Sequence, residues 1–85
     1  MQLQPLRKRI DRIDRQLLAL LNRRAATAVH IGNLKKKQGL PVLDSRREEA
    51  LLRRLVQTNH GPLPQICVRK IFREILRHSR KLQLK

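Results

Sequence analysis

Apolar residues recur at intervals of three and four through three stretches of the chain, and nowhere does the sequence alternate as a half-buried strand would. The pattern predicts an all-α fold of three helices: one long, one short and one of medium length. Leu6, Ile10, Ile13, Leu17, Leu20, Leu21, Ala28 and Ile31 form the first stripe, which runs to about Lys37 before Gly39 and Pro41 stop it. A helix of that span is about 50 Å long, more than a compact chain of this size covers, so part of the stripe is expected to meet another chain. The second helix is expected to begin near Asp44 or Ser45, with Ser45 and Glu48 in capping-box spacing. Leu51, Leu52, Leu55 and Val56 give it an apolar face that ends near Thr58. Turn formers crowd Asn59 to Pro64, after which Ile66, Ile71, Phe72, Ile75, Leu76 and Leu82 mark a third helix running almost to the C-terminus. With no internal repeat and no low-complexity tract, residues 1–85 read as a single domain.

Five polar residues interrupt this pattern. Around the first helix the stripe lies between about 200° and 300°, and Arg24 and Lys35 fall inside it at about 240° and 260°. Lys8, Arg9, Arg12, Arg15, Arg23 and Lys37 fall on the far side and read as a solvated face. Burying an unpaired cation costs several kcal/mol, so Arg24 and Lys35 either snorkel outward, pair with Asp14 or Glu48, or meet a bound anion. Glu48 sits in the centre of the second helix's apolar face, where capping alone would explain it. Ser79 and Gln83 interrupt the third helix's face; a hydroxyl bonded back to its own helix explains the first, and a frayed last turn the second. A small polar pocket inside a helical bundle accounts for all five together.

Composition narrows the chemistry. Among 85 residues, 21 Lys and Arg stand against 6 Asp and Glu, a formal charge of +15, while the hydrophobic fraction of 40% is too high for a disordered basic tail. A domain this small is marginal alone, which favours an oligomer. One Phe and no Trp or Tyr leave no aromatic platform for stacking single-stranded bases, although the charge itself permits nonspecific nucleic-acid binding. The longest aliphatic run, Leu17 to Leu21, is far too short to span a bilayer, and no signal peptide is visible. A lone Cys67 reads as a small core residue in a reducing compartment, so a cytoplasmic location is expected, with no membrane association. His30, His60 and His78 lack metal-ligand spacing with one another or with Cys67, adjacent His78 and Ser79 point about 100° apart and cannot pair as base and nucleophile, and no glycine-rich phosphate loop occurs. Neither metal nor cofactor is expected.

Taken together, these residues resemble the all-helical, dimeric chorismate mutases over nearly the whole chain. Leu6-Arg7, Ile10-Asp11-Arg12-Ile13-Asp14 and Leu17 to Arg24 are similar to that family's opening helix. Gly32 with Lys35, Pro41-Val42, and Asp44-Ser45-Arg46-Arg47-Glu48 resemble its second signature, and Ser79 with Gln83 its third. The resemblance implies an intertwined antiparallel helical homodimer that rearranges chorismate to prephenate in phenylalanine and tyrosine biosynthesis. It implies that Arg24 and Arg7 hold the two substrate carboxylates, with Ser79 near one of them. Lys35 and Gln83 would contact the ether oxygen of the breaking bond, Glu48 and Asp44 would lie around the hydroxyl, and Arg47 would order that corner. Arg7 would serve the neighbouring subunit's site. Spacing agrees, since Arg7 and Arg24 are seventeen residues apart on one helix, roughly 25 Å.

A Claisen rearrangement needs no nucleophile, metal or obligatory proton transfer, only confinement of a flexible dianion and donors where charge grows on the ether oxygen. Two other readings stand beside it. Isochorismate pyruvate lyase shares the fold, although the intact Asp44-x-x-Arg47-Glu48 pattern favours the mutase; a basic helical nucleic-acid-binding protein would give Glu48, Ser79 and Gln83 no role. The chain is open to being a standalone enzyme or the mutase part of a longer bifunctional one.

Overall fold

The computed structural model describes residues 2–84. It contains three helices, α1 (Leu3–Gln38), α2 (Ser45–Thr58) and α3 (Gln65–Gln83). At 36 residues α1 is about 54 Å long and sets the molecule's longest dimension, 57 Å. Pro5 falls in its first turn, where a missing N–H costs nothing. Its end is set by Gly39 at φ 69°, a left-handed conformation that lets the Gly39 and Leu40 N–H groups turn back onto the carbonyls of Lys36 and Lys35. Lys35, Lys36 and Lys37 occupy the last turn, where cations complement the helix dipole.

Helix α3 lies between the other two, packing on both α1 and α2, which do not pack on each other. The core is small and aliphatic: Ala28 of α1, Leu52 of α2, and Val68 and Leu76 of α3 are the buried hydrophobic residues among those described. Gly32 is buried at the tightest crossing. A Cβ placed there would stand 2.7 Å from Gln83 Cα and 2.9 Å from its carbonyl oxygen, so only glycine lets the end of α3 approach α1 this closely. Cys67 is half-buried and free.

The N-terminal half of α1 projects beyond this core. Every described residue up to Leu20 is exposed, including Leu6, Ile10, Ile13 and Leu17 of the expected stripe. An apolar groove of about 700 Å³, walled by Leu17, Leu21, Ile71, Ile75 and Leu82, continues the stripe onto α3. Among the described residues no helix is long and apolar enough to cross a membrane.

The start of α2 differs from the capping box expected at Ser45. Asp44 is the N-cap, its Oδ1 accepting the N–H of Arg47 at 3.1 Å, and Ser45 is already the first helical residue. Aspartate caps as well as serine, and the shift of one residue releases Glu48 from the cap and leaves its carboxylate free to reach another helix.

Candidate active site

The polar residues that interrupt the three stripes converge on one cavity of about 330 Å³, a volume suited to a small metabolite. Helix α1 contributes Arg24, Ala28, Ile31 and Lys35, spaced four, three and four apart and therefore on one face. From the start of α2 come Asp44, Arg47, Glu48 and Leu51, and from the end of α3 Leu76, Ser79, Arg80 and Gln83. Seven of the eight site residues expected from the sequence line this cavity: Arg24, Lys35, Asp44, Arg47, Glu48, Ser79 and Gln83. The eighth, Arg7, stands apart on the first turns of α1, exposed beside Leu3, Leu6 and Ile10.

Arg24 and Lys35 are half-buried, and both are anchored by neutral acceptors. Arg24 donates from a terminal nitrogen to Ser79 Oγ, and that hydroxyl donates onward to the Ile75 carbonyl at 2.8 Å. Ser79 is buried, so its bond to its own helix fixes the oxygen that receives Arg24. Lys35 Nζ donates to the Val42 carbonyl at 2.8 Å and to Gln83 Oε1 at 3.1 Å, tying α1 to the connecting segment and to α3. Gln83 is therefore the last ordered turn of α3, held at the Gly32 crossing. Neither Arg24 nor Lys35 pairs with Asp14 or Glu48; the two cations keep their charge uncompensated by carboxylate among the described residues.

Glu48 instead accepts a bond from Arg80 at 2.5 Å, both side chains partly buried. Arg80 escaped the sequence reading, although its position three residues before Gln83 puts it on the same face of α3. The Val42 carbonyl was also missed, because a backbone acceptor leaves no trace in a side-chain pattern. Away from the cavity, on the exposed side of α3, Arg77 hydrogen-bonds Glu74 and holds its carboxyl below the usual range; an exposed pair of this kind adds little stability.

Three helices thus build a small cavity whose two anchored cations face an open volume, an arrangement able to hold a small anion. The profile of the family described as chorismate mutase type II matches residues 6–84, and the chain belongs to that family. It is 39% identical to a bifunctional chorismate mutase/prephenate dehydratase of Aquifex aeolicus over 99% of its own length, and 31% identical to a chorismate mutase of Methanocaldococcus jannaschii over 92%. It spans only 24% of the Aquifex protein and 19% of a Neisseria gonorrhoeae relative of the same bifunctional description, but 80% of the Methanocaldococcus one. Among solved structures it resembles form II of a chorismate mutase from Thermus thermophilus, with a TM-score of 0.95 and 41% identity over 96% of this chain and 93% of that one. A Helicobacter pylori chorismate mutase in complex with prephenate superposes with a TM-score of 0.87 at 33% identity, covering 95% of this chain and 88% of that one.

Proposed function

We propose that this chain is a chorismate mutase, converting chorismate to prephenate by intramolecular Claisen rearrangement. Family membership supports the reaction, and the observation that carries it to particular residues is the pair of carboxylate-free cations, Arg24 and Lys35, in one cavity. In the rearrangement an ether C–O bond breaks as a C–C bond forms within the same molecule, so no group on the protein has to form a covalent bond. The protein's part is to hold the extended dianion in its folded, reactive conformer and to offer donors to the ether oxygen as it gains charge.

In this reading Arg24 grips one substrate carboxylate, with the Ser79 hydroxyl beside it. Lys35 has three N–H donors, two of them committed to Val42 and Gln83, which leaves one for the ether oxygen. Gln83 accepts from Lys35 through Oε1 and so retains its NH2 as a second donor to that oxygen. Glu48 and Asp44 accept from the substrate's hydroxyl, and Arg47, whose N–H already binds Asp44, adds positive potential at that corner. The donors are held before substrate arrives, so little reorganisation is needed as charge develops.

The second carboxylate falls to Arg7 of another copy of the chain. The exposed stripe on the first half of α1 and the apolar groove beside α3 are continuous and leave large aliphatic side chains bare, which favours an intertwined antiparallel homodimer. Residues 1–85 then form a single mutase domain acting in the cytoplasm, with the excess positive charge steering anionic substrate and permitting weak, salt-sensitive nucleic-acid binding. Sedimentation of an active 10.0 kDa monomer would refute the dimer. The test of function is loss of chorismate ultraviolet absorbance on adding the purified chain, with prephenate identified as product. Turnover of isochorismate in place of chorismate would assign the lyase reaction instead.

A further inference from the structure

Arg80 has no part in the chemistry above, yet it makes the one ion pair in the cavity wall among the described residues. Its guanidinium reaches from α3 to Glu48 Oε1 on α2 at 2.5 Å, with the two side chains 32% and 21% exposed. Glu48 lines the cavity, and its Oε2 has no hydrogen-bond partner among the described residues. Meanwhile Arg24 and Lys35, in the same wall, are held only by a hydroxyl, a backbone carbonyl and an amide oxygen. A carboxylate loose in so small a space would be drawn to either cation and would occupy the charge a ligand needs.

We propose that Arg80 is a positioning residue that captures Glu48, keeping Arg24 and Lys35 available to an anion and leaving Oε2 to accept a hydrogen bond from it. The inference rests on the mutase reading only for the identity of that anion. It assigns Arg80 an electrostatic task distinct from joining α2 to α3. Arg80→Gln frees the Glu48 charge, whereas the pair Arg80→Gln with Glu48→Gln removes that charge and keeps a neutral hydrogen-bonded bridge. Arg80→Lys keeps a cation opposite Glu48.

The variants are compared by KM and kcat for chorismate and, independently of any turnover, by thermal stabilisation with malonate as a small dianionic probe. Arg80→Gln is expected to raise KM about tenfold, with a smaller change in kcat, and to lose the malonate-induced rise in Tm. Arg80→Lys retains most of that rise, and the double substitution restores it, while its chorismate kinetics carry the separate loss of the charged Glu48 acceptor. Wild-type malonate stabilisation in Arg80→Gln, or a double variant whose malonate response is as impaired as that of the single one, overturns the proposal. So does a wild-type protein that malonate fails to stabilise. Should Arg80→Gln fail to fold, the malonate response of the double variant and of Arg80→Lys decides the matter. A wild-type chain that binds malonate but leaves chorismate unchanged defeats the mutase reading and not this one.

Discussion

Lys35→Met removes one charge from the cavity while keeping most of the apolar stem that lies along α1. In the folded chain the Lys35 ammonium is fixed by the Val42 carbonyl at 2.8 Å and Gln83 Oε1 at 3.1 Å, so its remaining donor is aimed before a ligand binds. Loss of one preorganised donor to a developing oxyanion costs about 3–4 kcal/mol of barrier, and a half-buried cation belongs at the upper end, so kcat should fall about 1,000-fold. The structural cost is smaller. Two hydrogen bonds from a charged donor are lost at about 1.5 kcal/mol each, the low end for such bonds because both acceptors border the open cavity. Stability and rate therefore separate: circular dichroism and thermal unfolding establish that the variant is folded, and chorismate absorbance gives kcat. A folded Lys35→Met that loses less than tenfold in kcat would refute the role given to this residue.

Gly32→Ala puts a Cβ 2.7 Å from Gln83 Cα, and because that atom is backbone the end of α3 must move. The expected loss is about 1–3 kcal/mol in thermal unfolding, with a fall in kcat as Gln83 leaves Lys35. Asp44→Ala removes the α2 cap and about 1 kcal/mol of stability, whereas Asp44→Asn keeps the cap and removes the charge; a KM change in the Asp44→Asn variant, read by steady-state kinetics, isolates the electrostatic part. Leu52, 2% exposed, anchors α2, and Leu52→Ala should cost about 2–5 kcal/mol in denaturant titration, a large share of the stability of so small a core.

The three helices were legible because their apolar spacing is regular and their ends carry strong signals; Gly39 and the Asn59 to Pro64 turn fall between elements as expected. Arg24, Lys35, Ser79 and Gln83 were legible for the opposite reason, since each breaks an apolar face. Their partners were not. That Arg24 meets Ser79 and Lys35 meets Gln83 depends on the crossing of α1 and α3 at Gly32, and relative helix register leaves no local mark. Glu48 shows the limit most clearly. A capping box at Ser45 and a cap at Asp44 look alike in sequence, and only the folded chain turns that carboxylate to Arg80. Arg7 was singled out only by the family resemblance, and its separation from the cavity follows from the length of α1.

The proposal that the cavity rearranges chorismate only when a second chain completes it is tested most directly by complementation. Arg7→Ala and Arg24→Ala should each abolish turnover alone. Mixing the two equally under conditions of subunit exchange makes heterodimers with one intact site, so about a quarter of wild-type activity should return. Absence of any recovery, once exchange has been demonstrated by mass spectrometry of labelled subunits, would contradict the shared site, and full activity in either variant alone would contradict the assignment of its arginine.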